Sequence, residues 1–159
     1  MPDRQSGTQS VQPAPGRGDV YPLSVEGKSV TLVDESYNAN PTSMEAALSA
    51  LSSRPGRKLA VLGDMYELGA DEIALHAALS DPIVAANVSR VVVTGECMRA
   101  LRGALPQKLR GPWVNDANEA YEALLAELED GDVVMVKGSN ATGLGALTQR
   151  LKREFAHVL

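Results

Sequence analysis

The sequence predicts an α/β protein, a Rossmann-like three-layer sandwich whose sheet has about six mostly parallel strands and one antiparallel edge strand. Short apolar segments alternate along the chain with segments whose apolar residues recur with the helical period. The short segments are apolar on both faces, which is typical of parallel strands covered by helices. With 159 residues, 44% of them apolar, the chain has the size and composition of one folded domain.

A hairpin is predicted at the start of the sheet. The stretch "DVYPLSVEGKSVTLV" contains two extended pieces around Glu26, Gly27 and Lys28, and its first piece supplies the antiparallel edge strand. The strands predicted after this first piece are Val30–Val33, Leu59–Leu62, Val91–Thr94, Pro112–Val114 and Val133–Val136.

Helices are predicted where apolar residues lie three and four positions apart. The predicted stripes are Met44, Ala47, Leu48 and Leu51; Met98, Leu101 and Leu105; Tyr121, Leu124, Leu125 and Leu128; and Leu144, Leu147, Leu151 and Phe155. A less regular helix is predicted from Asp71 to about Leu79, continuing past Pro82 with a break.

Composition narrows the function classes. The net charge is −5 and no block of Lys and Arg is present, which argues against extended contact with a nucleic-acid backbone but not against one nucleotide. Cys97 is the only cysteine, so we expect no intramolecular disulfide, a packing role for this thiol and a cytoplasmic location. No apolar run approaches the ~20 residues of a membrane span. Residues 1–15 are predicted to be a flexible linker or expression remnant, and residues 16–159 the folded domain.

Ligands of open α/β sheets bind outside the carboxyl ends of the strands. Three predicted strand ends carry polar or glycine-rich segments, which are "VDESYNANP", "LGDMYELG" and "VKGSNATGLG". The end at Thr94–Glu96 is plainer. We therefore expect the three polar segments to form the functional edge of the sheet.

The first polar segment holds more hydrogen-bonding groups than a connector needs. Asn40 precedes a proline and is a good helix cap, so a structural role is enough to explain its presence. Asp34, Glu35, Tyr37 and Asn38 have no such explanation. Two adjacent acids can hold a pair of ribose hydroxyls or a metal-bound water, and ordinary turn chemistry is the alternative.

The last polar segment places Lys137, Ser139 and Asn140 before a helix. A lysine charge and free backbone N–H groups there favour a carboxylate or phosphate, and a capped loop is the alternative. The segment is not a phosphate loop, because the order G-x-x-x-x-G-K-[ST] is absent from the chain.

The middle polar segment contains Asp64 between two glycines. Its carboxylate can accept hydrogen bonds from a ligand amine or can cap the loop. His76, on the following helix, is predicted to be a satisfied surface or core histidine. No Cys/His cluster with metal-ligand spacing is present, so no metal site is predicted in this chain.

The segments "VDESYNANPTSMEAAL", "VLGDMYELG" followed by "LH", and "VMVKGSN" resemble the C-terminal domain of the Mur ligases of peptidoglycan synthesis. "PAPGRG" matches the segment that leads into that domain. The similarity runs from about residue 12 to residue 152, in the right order and spacing. "SYNANP" together with "LGDMYELG" is most similar to the branch of the family that adds D-alanyl-D-alanine to UDP-N-acetylmuramoyl-tripeptide.

The resemblance implies an ATP-dependent reaction in which the tripeptide carboxylate is phosphorylated and the dipeptide amine attacks the acyl phosphate. It also implies three domains: one for the UDP part, a central one with the phosphate loop, catalytic acids and magnesium ligands, and a last one that closes over the site. This chain has no phosphate loop. We therefore expect it to be the closing domain, inactive alone, with ATP and magnesium as cofactors and magnesium held mainly by the central domain.

The resemblance also assigns residues. Arg17 matches an arginine that reaches the ATP phosphates, and Asp34–Glu35 matches an acidic pair that holds the ribose, usually with a second Asp where this chain has Glu35. Tyr37 and Asn40 are expected to line the nucleotide. Many relatives have Arg where this chain has Asn140, which weakens a carboxylate clamp. The residues expected on the dipeptide side are Asn38, Asp64, Lys137, Ser139 and Asn140.

Two alternatives remain open. One is a sister Mur ligase that adds another amino acid; a diaminopimelate-adding relative is expected to carry Asn-Pro-Arg, whereas Thr42 follows Asn40 and Pro41 here. The other is a standalone nucleotide- or peptide-binding module. A flavodoxin-like receiver, for instance, has acids at strand ends and a lysine near its last strand, and this layout is imitated superficially by Asp34, Asp64 and Lys137.

Overall fold

The computed structural model describes residues 16–156, which form one six-stranded sheet with helices on both faces. The strands are β1 (Asp19–Val25), β2 (Lys28–Glu35), β3 (Lys58–Gly63), β4 (Val88–Thr94), β5 (Arg110–Val114) and β6 (Val133–Lys137). Their order in the sheet is β1-β2-β6-β3-β4-β5. Only β1 runs antiparallel to its neighbour, so the predicted fold class is confirmed. The linker predicted for residues 1–15 lies outside the described residues.

The hairpin turn is shorter than predicted. Glu26 and Gly27 form it alone, with φ of 52° and 84°, and Lys28 already pairs with Val25 as the first residue of β2. Positive φ at both central residues belongs to the turn type whose twist matches that of the flanking strands. The turn thereby fixes the register that sets Asp19 opposite Asp34 at the far end of the hairpin.

The helices follow the predicted apolar stripes. They are α1 (Pro41–Ser52), α2 (Glu72–Ala77), α3 (Ser80–Ala85), α4 (Met98–Ala104), α5 (Ala117–Glu127) and α6 (Leu144–Phe155). The predicted break is confirmed, but α2 ends at Ala77 and the break falls at Ala78 and Leu79, ahead of Pro82. Pro82 itself lies in the first turn of α3, where a missing N–H costs no helical hydrogen bond. None of the helices within residues 16–156 is both long enough and apolar enough to cross a membrane.

Two apolar layers cover the two faces of the sheet. On one face Leu48 of α1 belongs to the same cluster as Ala60 and Leu62 of β3, while Leu59 and Val61 belong to the cluster on the other face. Alternate residues of β3 thus pack in opposite directions, as the pleat of a strand requires. The first layer is built from α1, α3 and α4, and the second from α5 and α6.

The strand order positions the functional edge. Because β6 lies between β2 and β3, the segments that follow these three strands leave the sheet side by side at its carboxyl edge. The three polar segments of the sequence are therefore neighbours in space. The ends of β4 and β5 continue the same edge.

Candidate functional site

Ser139 joins the three polar segments. Its hydroxyl donates to the carbonyl oxygen of Ala39 at 3.4 Å and accepts from the backbone N–H of Tyr66 at 3.2 Å. Its own backbone N–H donates to the carbonyl of Asp64 at 3.2 Å. The side chain is buried, so its direct structural contribution is to hold the loops after β2, β3 and β6 against each other.

Lys137 is a buried cation at the centre of this edge. Its side chain is 4% exposed, and Nζ donates to the backbone carbonyl of Asn38 at 2.8 Å and lies 3.8 Å from Glu35 Oε1. Burial lowers the pKa of Lys137, and the charge of Glu35 offsets only part of this effect. Burial likewise raises the pKa of Glu35, with Lys137 opposing the rise and Asp34 adding to it. The two groups stabilise each other's charged forms in a partly dry environment.

The structure separates the two members of the acidic pair. Asp34 is 1% exposed: its Oδ1 accepts from the N–H and hydroxyl of Ser36 at 3.0 and 2.6 Å, and its Oδ2 accepts from Lys152 Nζ at 2.8 Å. Glu35 is half-buried and lines an open cavity. The separation follows from the strand, whose successive side chains point to opposite faces.

Arg17 and Glu35 face a common cavity of about 240 Å³, which we call the Arg17 cavity. The guanidinium of Arg17 lies 4.0 Å from the ring centroid of Tyr37, which is 45% exposed. The cavity combines residues predicted for the nucleotide with two predicted for the dipeptide. Its lining residues are Gly16, Arg17, Glu35, Tyr37, Asn38, Ser43 and Lys137.

Asn40 caps α1, as predicted. Its side-chain oxygen accepts from the N–H of Ser43 at 2.8 Å, and the Ser43 hydroxyl accepts from the N–H of Asn40 at 3.0 Å. Pro41 occupies the first helical position. Asn40 is exposed but lines neither the Arg17 cavity nor the smaller one beside it, so its contact with a nucleotide stays a prediction.

Asp64 caps the start of α4. Its buried carboxylate accepts from the backbone N–H groups of Cys97 and Met98 at 3.2 and 3.0 Å. Gly95 makes this approach possible, since a Cβ at that position would lie 2.3 Å from the carboxylate. Of the two functions that the sequence left open for Asp64, the geometry favours capping.

His76 is a satisfied core histidine, as predicted. Its Nδ1 lies 2.6 Å from the carbonyl oxygen of Glu72, and its Nε2 accepts from the N–H of Met65 at 2.9 Å. This pairing requires the tautomer that carries its proton on Nδ1. The imidazole therefore ties α2 to the loop after β3.

The folded chain brings Asp64, His76 and Cys97 together, with ligand atoms within 4.8 Å of one another, which sequence spacing did not indicate. The arrangement is unsuited to a metal. The available lone pair of His76 already accepts from Met65, and both Asp64 oxygens accept from the backbone. Burial raises the pKa of the Cys97 thiol to about 11, whereas a metal binds the thiolate. The cluster is best described as packing and capping.

Sequence reasoning missed a second polar cavity, of about 290 Å³, at the carboxyl ends of β4 and β5; we call it the Trp113 cavity. Trp113 Nε1 donates to the carbonyl of Gly95 at 2.8 Å, and the Arg99 guanidinium lies 3.7 Å from the indole ring centroid. The polar residues at Thr94–Glu96 and Asn115 were the available signal, but their meaning depends on β4 and β5 being neighbours. The cavity is lined by Tyr66, Thr94, Gly95, Glu96, Trp113, Asn115, Ala141 and Thr142.

The fold and these loops define an α/β domain with open polar cavities at the carboxyl edge of its sheet, where ligands of open α/β sheets bind. The family model for "Mur ligase, glutamate ligase domain" matches residues 16–140. The chain belongs to this family, and the resemblance seen in the sequence is confirmed.

Individual relatives point to one branch of the family. The chain is 41% identical over 155 residues to the UDP-N-acetylmuramoyl-tripeptide–D-alanyl-D-alanine ligase of Mycobacterium tuberculosis, covering 81% of this chain and 30% of that protein. It is 36% identical to the Escherichia coli ligase of the same name, covering 93% of this chain and 32% of that protein. The crystal structure of MurF ligase from Thermotoga maritima in complex with ADP superposes with a TM-score of 0.75 at 26% identity, over 91% of this chain and 32% of that one. The chain thus spans about a third of the length of these relatives.

Proposed function

We propose that this chain is the C-terminal, closing domain of a cytoplasmic ATP-dependent ligase that joins D-alanyl-D-alanine to UDP-N-acetylmuramoyl-tripeptide through an acyl phosphate. The observation that carries the proposal is the meeting of Arg17, Glu35 and Tyr37 around one open cavity at the carboxyl edge of the sheet. The names of the relatives supply the reaction, and the MurF structure with ADP supports nucleotide binding.

In this proposal the Arg17 cavity is half of the nucleotide site. Its volume of about 240 Å³ falls below the roughly 300–1,000 Å³ of a typical small-molecule pocket. A second surface is therefore needed, and the central ATPase domain of the same polypeptide supplies it. Glu35 accepts hydrogen bonds from the ribose hydroxyls. The guanidinium of Arg17, which contacts the Tyr37 ring here, binds the ATP phosphates. There it neutralises the negative charge that develops on the transferred phosphoryl group.

The acids at this edge fit a magnesium site poorly. Mg²⁺ takes one or two carboxylates together with waters and phosphate oxygens. Asp34 is bound by Lys152 and Ser36, and Glu35 lies beside Lys137. We therefore assign the magnesium ligands to the central domain, while this chain contributes the arginine.

The dipeptide side of the proposal lies at the loop after β6. Lys137 uses one of its three N–H donors on Asn38 and retains others for a carboxylate. Asn140 is exposed at the same loop, and the next two residues, Ala141 and Thr142, line the Trp113 cavity. Asn38, Lys137, Ser139 and Asn140 are thus proposed to hold the incoming dipeptide, whereas Asp64 acts through the position of α4.

Closure of this domain on the central one would serve the chemistry in two ways. It would complete the nucleotide pocket around Arg17 and Glu35. It would also exclude water from the acyl phosphate, which otherwise hydrolyses. Each domain alone is then inactive, which explains a cavity that is too small and too open for its ligand.

The proposal is tested by a ligation assay on the intact polypeptide that contains this chain. Phosphate release and formation of the ligated product are measured with ATP, magnesium, UDP-N-acetylmuramoyl-tripeptide and D-alanyl-D-alanine. We expect both to require the dipeptide, with no activity from the 159-residue chain alone. Equal activity with a single amino acid such as diaminopimelate would show a sister ligase, and the absence of both phosphate release and ligated product from the intact polypeptide would favour a standalone module.

A further inference from the structure

Lys152 of α6 lies between two carboxylates of the hairpin. Its Nζ is 2.8 Å from Asp34 Oδ2 and 3.7 Å from Asp19 Oδ2. The ring centroid of Tyr21 lies 4.1 Å from the same nitrogen. The lysine side chain is 16% exposed, and those of Asp19 and Asp34 are 10% and 1% exposed. One ammonium group therefore faces two largely buried acids and offsets one of their two negative charges.

The two acids are a cross-strand pair of like charge. Asp19 of β1 stands directly opposite Asp34 of β2 in the antiparallel register. Like charges in this position destabilise a strand pair. Among residues 16–156, the buried Oδ2 atom of Asp19 has no hydrogen-bond donor, and the ammonium of Lys152 lies 3.7 Å from it. Burial alone would lower the pKa of Lys152, but its hydrogen bond to Asp34 and its contact with Tyr21 raise the pKa above its ordinary value.

The same two acids hold the segment Gly16–Gly18, which we call the lead-in segment. Asp19 Oδ1 accepts from the N–H groups of Gly16 and Arg17 at 3.0 and 3.3 Å. The N–H of Gly18 donates to the carbonyl of Asp34 at 2.8 Å. Any splaying of Asp19 from Asp34 would therefore move the backbone that carries Arg17.

The lead-in segment in turn is fitted to the loop after β2. The carbonyl of Gly16 accepts from the N–H of Tyr37 at 3.0 Å. A Cβ on Gly16 would lie 2.8 Å from that nitrogen, and φ of Gly16 is +81°, so the contact is open only to glycine. This contact sets the Arg17 guanidinium over the Tyr37 ring.

We propose that Lys152 is a positioning residue: by pairing with Asp34 and reducing the repulsion between Asp34 and Asp19, it fixes the lead-in segment and the place of Arg17 at its cavity. It lies on a helix that is distant in sequence from the lead-in segment, and it does not line the Arg17 cavity. It acts through the two acids and does not touch the ligand. The claim that Lys152 fixes the lead-in segment follows from the geometry alone. The claim that this affects the rate of ligation rests on the proposed function.

The structural part is tested by amide hydrogen exchange on this chain. We expect Lys152→Met to speed exchange at Gly18 and Tyr37 by about tenfold relative to Met135 in the central strand β6, because local opening at the lead-in segment becomes easier. The matched control is Lys28→Met, which removes a lysine bonded to the carbonyl of Leu128 at the other end of β2. Unchanged relative exchange in Lys152→Met, or an equal change in Lys28→Met, would overturn the inference.

The kinetic part is tested by a double-mutant cycle in the intact ligase. We expect Lys152→Met to lower kcat about tenfold to a hundredfold through misplacement of Arg17, with the KM for the dipeptide unchanged. In an Arg17→Ala background the same change should cost nothing further, and Lys152→Arg should restore most of the rate. Additive losses would overturn the inference. If the intact protein ligates no dipeptide at all, the proposed function fails, and the exchange experiment still decides whether Lys152 holds the lead-in segment.

Discussion

The Nζ atom of Lys137, at the end of β6, donates a hydrogen bond of 2.8 Å to the backbone carbonyl of Asn38, in the loop after β2. A charged side chain on one strand thereby holds the polar loop of its neighbour. The same nitrogen faces Glu35 at 3.8 Å, and both groups line the Arg17 cavity. The contact anchors the loop to β6 at the wall of the Arg17 cavity.

The pKa of Glu35 should lie above the ordinary value of a glutamate. Burial raises its pKa and Lys137 opposes the rise, so Lys137→Met should raise the pKa of Glu35 further. Because the folded-state pKa exceeds the unfolded value of about 4.3, this group's contribution to stability falls as pH rises from there through the folded pKa. Carboxyl carbon NMR of the chain measures the titration. Titration near the ordinary value, or no response to Lys137→Met, would contradict the assigned environment.

Asp64→Ala should destabilise the fold by about 1–3 kcal/mol, because the backbone N–H groups of Cys97 and Met98 lose their acceptor in a buried place. The control is Asp71→Ala at the start of α2, where the side chain makes no capping hydrogen bond. Its effect should stay within about 0.5 kcal/mol. Urea unfolding measures both variants, and equal losses of stability would argue against a capping role for Asp64.

Leu48→Ala should cost about 2–5 kcal/mol of unfolding free energy, since the Leu48 side chain is fully buried under α1 and its removal leaves a cavity. Ser49→Ala, on the exposed side of the same helix, is the matched control and should change little. Thermal unfolding followed by circular dichroism compares the two variants. A Leu48→Ala midpoint equal to that of the control would mean that α1 does not pack on the sheet as described.

The Cys97 thiol should react slowly with a disulfide reagent at pH 8 in the folded chain. Burial and the nearby acids raise its pKa to about 11, so little thiolate forms, and the side chain is largely covered. The reaction should become fast in denaturing urea, which serves as the internal control. Rapid reaction of the native chain would indicate an accessible, activated cysteine instead of a packing residue.

Most of the fold could be predicted from the sequence because the buried faces of helices and strands require apolar residues at regular spacings. The stripe Met44, Ala47, Leu48 and Leu51 is the buried face of α1, and the short two-faced apolar runs are the central strands β3 and β6. The start of α1 could also be predicted, because Asn followed by Pro is typical of a helix N-cap and first helical position. These features depend on local chemistry alone.

Which polar side chains of the site are occupied by other residues depends on contacts between distant parts of the chain. These contacts could not be predicted from the sequence. Asp34 and Glu35 point to opposite faces of β2, and the partner that pairs with the buried Asp34 is Lys152, 118 residues later in the chain. Asp64 is occupied by N–H groups 33 and 34 residues further along the chain. The Trp113 cavity exists only because β4 and β5 are neighbours in the sheet. Each case needed the strand order, which periodicity does not reveal.

The central claim is that the crowded loop after β2 supplies half of a nucleotide site, and steady-state kinetics of Glu35→Ala in the intact ligase test it most directly. We expect the KM for ATP to rise about tenfold or more through loss of a charged hydrogen-bond acceptor, with the KM for D-alanyl-D-alanine unchanged. Glu26→Gln, at the exposed hairpin turn, is the control. An unchanged KM for ATP, or a rise confined to the dipeptide, would contradict the assignment of Glu35 and its cavity to the nucleotide.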